Sequence, residues 1–142
     1  MRAVLLPPRM IAKAWPLVAI WVAGALVKGK ADIGPDDVRR ALDRDEMQLW
    51  LFWDDECNTA RGCVVTEFAD SVRGKACNLV VVAGNDFETW RHFVETIKAW
   101  ARAHGCARLE GGGREGWQRL VKADGWHKVR TIVEMRLDDG LK

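Results

Sequence analysis

The strongest constraint on the fold is a run of apolar residues followed closely by an amphipathic helix. Residues 79–82 read L-V-V-V, which is typical of a central strand covered on both faces of a sheet. Across residues 87–101 apolar side chains recur at helical spacing, and Gly105 then supplies a C-terminal stop. The pattern predicts a helix packed on a sheet, and therefore an α/β domain.

Strand-like and helix-like patterns alternate along the rest of the chain. The predicted order is a strand at 3–6, helices at 9–28 and 35–42, strands at 47–53, 61–68 and 76–83, the helix at 87–101, a strand at 106–110, a helix at 114–123 and a strand at 129–137. The last strand places Val129, Thr131, Val133, Met135 and Leu137 on one face. No repeat, linker or low-complexity segment is present, so a single domain over residues 1–142 is expected.

Charge and cysteine content narrow the function classes. The chain carries 22 Lys and Arg against 20 Asp and Glu, interspersed, for a net charge of +2. This balance produces no field that gathers polyanions, which argues against a nucleic-acid partner. The four cysteines form no C-x-x-C pair, and no histidine lies at ligand spacing from them, so no metal site is predicted. Buried, reduced thiols in a cytoplasmic protein are expected.

The segment at 14–27 imitates a targeting signal. It is nearly all apolar and follows Arg2, Arg9 and Lys13, but it is too short for a membrane span and contains Pro16. We interpret it as a buried amphipathic helix, with apolar residues at Ile11, Trp15, Val18, Val22 and Leu26 along one face. No membrane partner is predicted.

The order of elements and two C-terminal motifs resemble the GNAT family of N-acetyltransferases. Residues 99–110 read A-W-A-R-A-H-G-C-A-R-L-E and look like the end of that family's main helix and its fifth strand. Residues 120–126 read L-V-K-A-D-G-W and resemble the family's L-Y-E-x-x-G-F segment. The resemblance implies a mixed, mostly antiparallel sheet flanked by helices.

A narrower resemblance connects the chain with small GNAT-like proteins of tailed bacteriophages. The motifs that carry it are Trp15-Pro16-Leu17-Val18, Gln48-Leu49-Trp50, Val65-Thr66-Glu67 and Gly113-Arg114-Glu115-Gly116-Trp117. They imply a phage or prophage origin, with the protein in the cytoplasm of a bacterial host or in the virion.

The resemblance also locates the loop that would bind a cofactor. GNAT enzymes hold the diphosphate of acyl-CoA on backbone amides at the start of the main helix, where small residues let the phosphates approach. The corresponding residues here are Asn85, Asp86, Phe87, Glu88, Thr89 and Trp90. Glu88 replaces the first glycine of the family pattern and Trp90 the second small residue. A capping box between Asn85 and Glu88 would then occupy the amides internally, which predicts a degenerate site.

The acid and base of the family reaction are also questionable in this chain. Many GNAT enzymes use a tyrosine in the last helix as general acid, and the matching position is Val121, in a chain without tyrosine. The nearest candidate for the general base is Glu67, although a glutamate at a strand end is more often a solvated carboxylate. Arg114 and Trp117, beside the glycines at 111–113, are candidates for contact with an anion or a partner protein.

Two functions are compatible with these observations. The preferred hypothesis is a non-catalytic binding or structural protein of phage origin, with no cofactor and with a phage protein or a second copy as its partner. The alternative is an N-acetyltransferase that uses acetyl-CoA on a primary amine, with Glu67 or water as the base. A DNA-binding protein would instead show affinity that falls steeply with salt.

Overall fold

A five-stranded sheet forms the centre of the structure, which is a computed structural model that describes residues 1–112 and 125–138. The strands lie in the order β1 to β5, and neighbours are antiparallel except for the parallel pair of β4 and β5. They are β1 at Arg2–Leu6, β2 at Gln48–Asp54, β3 at Thr59–Ala69, β4 at Ala76–Gly84 and β5 at Arg108–Gly111. This is the mixed, mostly antiparallel sheet that the sequence predicts.

Helices cover both faces of the sheet. They are α1 at Ile11–Lys28, α2 at Pro35–Asp43, α3 at Phe87–Trp90 and α4 at Val94–Ala103, with 3-10 turns at Pro8–Met10 and Arg91–Phe93. Proline at the first position of α2 is preorganised for a helix, and the Gly34 amide donates to the Asp37 carboxylate at 2.9 Å. α1 and α2 pack on one face, and α3 and α4 on the other.

The two faces bury separate hydrophobic clusters. The cluster between the sheet and helices α1 and α2 consists of Ile11, Ala14, Val18, Val22, Leu26, Val38, Leu42, Met47, Leu49, Leu51, Cys63, Val65 and Val81. The cluster between the sheet and helices α3 and α4 consists of Trp50, Phe52, Val64, Cys77, Leu79, Trp90, Ile97 and Ala101. Alternation along β2 and β3 produces this division, because successive side chains of a strand point to opposite faces.

The cysteines agree only in part with the expectation of buried thiols. Cys63 and Cys77 are buried, and desolvation raises the pKa of each thiol to about 12, with nearby Cys106 a further cause at Cys77. Both are therefore thiols rather than thiolates at neutral pH. Cys106 is half-buried and Cys57 is exposed, so the expectation is wrong for Cys57.

The predicted continuous helix at 87–101 is interrupted. α3 ends at Trp90, whose backbone (φ −125°, ψ 1°) leaves the helical region, and a 3-10 turn connects it to α4. The break allows the Trp90 ring to insert against β3, where a Cβ on Gly62 would lie 2.5 Å from it. Helical periodicity predicts the location of this region but not the tertiary contact that breaks it.

The predicted closing strand at 129–137 is wrong. These residues form no strand, and Ile132, Val133, Met135 and Leu137 are exposed. A strand requires a neighbour for its N–H and C=O groups, and none of the described strands pairs with this segment. Alternating polarity cannot supply that neighbour. The predicted helix at 114–123 lies outside the described residues.

The buried amphipathic helix predicted near the N-terminus is only half covered. In α1 the residues Ile11, Ala14, Val18, Val22 and Leu26 are buried, whereas Trp15 is only partly buried. Leu17, Ile20 and Val27, on the opposite side, are exposed. In the described part of the chain, the segment Pro8–Lys28 is long and apolar enough to cross a membrane by length and composition alone. Five core residues nevertheless anchor it in the domain.

Candidate functional site

The candidate site lies where β4 and β5 separate. The parallel pairing joins Ala76 through Leu79 to the four residues of β5 and ends at Leu79 and Gly111. Residues 80–84 of β4 therefore have no described partner on that side. Backbone N–H and C=O groups along this edge, which pair with no strand in the described ranges, can bind an extended ligand.

A β-bulge lies at the point of separation. Val65 of β3 is opposite Val81, and the next residue, Thr66, is opposite Leu79, so Val80 is the extra residue of β4. An extra residue is left out of the regular ladder and re-aims the groups around it. No sequence pattern predicts this bulge, because it falls inside a uniform run of valines.

The loop after β4 carries the backbone into α3 through a left-handed residue. Asp86 has φ +54° and ψ +51° and precedes the first helical residue, Phe87. Before it, the Asn85 amide donates to the Arg61 carbonyl at 2.8 Å, which fixes the loop to β3. The Asp86 carbonyl then accepts bonds from the Thr89 amide at 2.8 Å and the Thr89 hydroxyl at 2.7 Å.

The predicted capping box between Asn85 and Glu88 does not form. No side chain caps α3, and the Glu88 carboxylate instead accepts from the Arg91 guanidinium at 2.8 and 3.0 Å. The amides of Phe87 and Glu88 donate to no acceptor among the described residues. The first turn of α3 therefore presents two free N–H groups at the end of the open β4 edge, contrary to the expectation that they are occupied internally.

Trp90 faces the core, as its place in the apolar pattern predicts. It is 1% exposed, its ring stacks on Phe52 with centroids 4.8 Å apart, and its Nε1 donates to the Asn85 carbonyl at 2.8 Å. Its bulk fills the space over Gly62. Glu88 and Trp90 both depart from the family pattern in this loop. Trp90 has a structural role, because its ring packs in the core below the loop.

Both carboxylates of the loop have arginine partners. Asp86 lies 3.7 Å from the guanidinium of Arg61, which also binds Asp54 at 3.0 Å, and Glu88 pairs with Arg91. Asp86 and Glu88 are themselves exposed. Two cations thus accompany two anions around the start of α3. Sequence reasoning counted the carboxylates but missed the arginines, since Arg61 comes from a different strand.

Glu67 lies on the face of the sheet covered by α1 and α2, one strand away from the separation. It shares that face with Val65, and its Cα partner on β4 is Asn78. Burial, and secondarily the charge of nearby Glu46, raises the pKa of Glu67 above its ordinary value of 4.5. A carboxylate with a raised pKa accepts a proton more readily than a solvated one, as a general base must.

A hydrogen-bonded chain stiffens the strand beside Glu67. The buried Thr66 hydroxyl donates to the Gln48 side-chain carbonyl at 2.8 Å and accepts from Trp50 Nε1 at 3.3 Å. These contacts tie β3 to β2 at the level of the bulge. The structure therefore pairs the strand that carries Glu67 with β4, and the α3 amides follow the C-terminal end of β4. Arg114, Trp117 and Val121 lie outside the described residues.

Known proteins resemble this chain in structure and not in sequence. No protein-family model matches the sequence, and no curated protein is similar to it. Solved structures do match. A probable acetyltransferase shares 17% identity with complete coverage of both chains and a TM-score of 0.68. A predicted acetyltransferase with acetyl-CoA from Clostridium acetobutylicum shares 10% identity over 96% of each chain, with a TM-score of 0.69.

A third structure is the ribosomal-protein-alanine N-acetyltransferase from Brucella melitensis biovar Abortus 2308, with 13% identity over 96% of this chain and 100% of that chain and a TM-score of 0.67. The chain has the GNAT fold. The TM-scores establish the fold. At sequence identities this low, the activity has to be argued from the site itself.

Proposed function

We propose that the protein is an acyl-CoA-dependent N-acyltransferase acting on a primary amine. The observation that carries the proposal is the convergence of an unpaired, bulged β4 edge with two free amides at the start of α3. It also draws support from the solved structures of the same fold, since those compared above are described as acetyltransferases.

The residues at the start of α3 fit an acyl-CoA diphosphate. The Phe87 and Glu88 amides have no acceptor among the described residues, as an anion at a helix start requires, and Arg61 and Arg91 offset the charges of Asp86 and Glu88. Glu88 is turned toward Arg91, and Trp90 is buried below the loop. The cofactor would supply a thioester carbonyl to the reaction. The open edge of β4 near Val80 would hold its extended arm by backbone hydrogen bonds.

Glu67 supplies the base in this mechanism. An amine attacks only in its neutral form, so a proton must leave the ammonium group before or during attack. Burial and Glu46 make the Glu67 carboxylate a better acceptor for it, either directly or through one water. The chain has no tyrosine, so the departing thiolate takes its proton from water rather than from a phenol.

A non-catalytic binding protein of phage origin is the second candidate. It is favoured by one specific observation, the presence of Glu88 and Trp90 where the family pattern has small residues. In this form the protein binds a phage protein or another copy of itself, in the host cytoplasm or the virion. Titration with acetyl-CoA separates the two candidates, because micromolar binding supports the enzyme and its absence supports the binding protein.

The first prediction concerns Glu67. Glu67→Gln is expected to lower kcat/KM for acyl transfer by about 100-fold, because removal of a general base typically costs 10²–10⁴ in rate. The measurement is CoA release across a panel of primary amines. In the parent protein the rate is expected to fall as pH drops through the raised pKa of Glu67, because only the carboxylate form accepts a proton.

Glu46→Gln is the matched control for Glu67. Removing this like charge lowers the pKa of Glu67, so the acid limb of the pH profile is expected to move to lower pH while the plateau rate is kept. Full activity in Glu67→Gln would contradict the assigned base. An unchanged acid limb in Glu46→Gln would show that another group titrates.

The second prediction concerns Glu88. Glu88→Gly is expected to tighten acetyl-CoA binding about fivefold, because it removes a carboxylate near the diphosphate in a solvent-exposed, well-screened position. Isothermal titration measures the Kd. Glu88→Gln removes the charge and keeps the size, so it distinguishes repulsion from steric obstruction. Weaker binding in both variants would contradict an anion site at this helix start.

A further inference from the structure

α1 is apolar on all sides but is covered on only one. Opposite its core face, Leu17 is 52% exposed, Ile20 86% and Val27 79%. Gly24 lies between the last two, and a Cβ placed there would meet no atom within 4 Å. A helix that is hydrophobic all round is normally buried in protein or lipid. This face therefore indicates contact with something outside the described chain.

The three exposed residues and the half-buried Gly24 form a straight line along the helix. Leu17, Ile20, Gly24 and Val27, here called the α1 outer stripe, are separated by three, four and three positions, which is the spacing of one helix face. With Lys13 at one end and Lys28 at the other, the line extends about 22 Å at 1.5 Å per residue. The stripe is long and narrow, and its two ends are positively charged.

Basic residues flank the stripe along the sequence, of which Arg2 is paired with Asp55, and its own segment carries no acidic residue. Residues 1–31 contain five Lys and Arg, at positions 2, 9, 13, 28 and 30, and no Asp or Glu. Within the described residues, Lys13 and Lys28 form no ion pair. On the adjoining helix α2, Asp37 and Asp43 are paired with arginines of the same helix. The first acidic residues that follow this segment in the chain are Asp32 and Asp36.

This charge pattern selects among the occupants of the stripe. Two copies packed through it by a twofold axis would place Lys13 against either Lys13 or Lys28 of the other copy, and like charges destabilise such a contact. An anionic lipid surface meets both requirements, because acyl chains accept the apolar line and headgroups neutralise the lysines at its ends. The core face of α1 stays anchored in the domain, so the helix lies along the membrane rather than across it.

We propose that the α1 outer stripe docks this protein on an anionic lipid bilayer. The inference is independent of the proposed acyl transfer, which uses the β4 edge and α3. It departs from the sequence-based expectation of no membrane partner, because that expectation assumed a fully buried helix.

The test is flotation of the full chain with vesicles of phosphatidylcholine alone and with 30% phosphatidylglycerol. Binding is expected only with the anionic lipid and is expected to fall in high salt. Lys13→Gln with Lys28→Gln is expected to lower the partition coefficient about 30-fold, since each basic residue at an anionic surface contributes about fivefold. Ile20→Asp is expected to abolish binding.

Val72→Asp is the matched control, because Val72 is also fully exposed but lies in the turn between β3 and β4. It is expected to bind like the parent, and circular dichroism verifies that each variant is folded. Equal binding of Ile20→Asp and Val72→Asp, or no binding by the parent, would overturn the proposal. A third outcome would also overturn it: the parent protein does not bind vesicles, light scattering shows that it is a dimer, and Ile20→Asp dissociates that dimer.

Discussion

Trp90→Ala is expected to lower the free energy of unfolding by about 3–5 kcal/mol, the range for removing a large buried aromatic side chain. Trp90 stacks on Phe52 and meets the edge of Phe87 with centroids 4.9 Å apart, so alanine would leave a cavity between β2, β3 and α3. It would also leave the Asn85 carbonyl without its indole donor. Urea unfolding followed by circular dichroism measures the loss, as a lower midpoint at similar slope.

Trp90→Phe separates packing from the hydrogen bond. It keeps a ring against Phe52 and removes the Nε1 donor, so a smaller loss of about 1–3 kcal/mol is expected from one unsatisfied acceptor and a smaller cavity. If Trp90→Ala cost less than about 1 kcal/mol, the ring would not be the anchor of this loop. The residue that departs from the GNAT pattern would then need another explanation.

Hydrophobic periodicity was sufficient to predict most of the framework. The strands at 47–53, 61–68 and 76–83 and the helix at 35–42 agree with β2, β3, β4 and α2 to within a few residues. These elements depend on which residues one face must bury, and that information is local. The division into two clusters on opposite faces of the sheet follows from the same alternation.

The missed features depend on contacts between distant residues. The helix after β4 breaks because Trp90 packs on Gly62, 28 positions earlier in the chain. The bulge at Val80 depends on how β4 pairs with β3, and a run of valines contains no pattern that indicates it. Neither contact has a periodic signature, so reading the sequence alone could not locate them.

The prediction of a degenerate loop at residues 85–90 depends on residue identity alone. The sequence shows Glu88 only as a replacement of the first glycine, whereas in the structure its carboxylate pairs with Arg91 one turn later. A Glu–Arg spacing of three on a helix is itself a recognisable pattern. The Arg61 contribution was not recognisable, since it depends on the β3–β4 register.

Gly84→Ala is expected to destabilise the protein by about 2–6 kcal/mol, the sum of backbone strain and overpacking. Gly84 ends β4 with φ +133°, a conformation that L side chains rarely adopt, and a Cβ there would lie 2.4 Å from the Gly62 Cα and 2.5 Å from the Arg61 carbonyl oxygen. Both obstructing atoms are backbone, so no rotamer change relieves the clash. β3 and β4 would have to separate, and the Asn85–Arg61 bond that fixes the loop would lengthen.

Gly24→Ala is the matched control for Gly84→Ala. Gly24 lies within α1 with open space around its Cβ position, so alanine there is expected to stabilise the protein by about 0.5–1 kcal/mol. Thermal unfolding of the two variants should therefore move in opposite directions. If Gly84→Ala unfolded like the parent, the close approach of β3 and β4 would be wrong. The position assigned to the free α3 amides would be wrong with it, because that approach is what brings the loop from Asn85 to Phe87 to the open edge of β4.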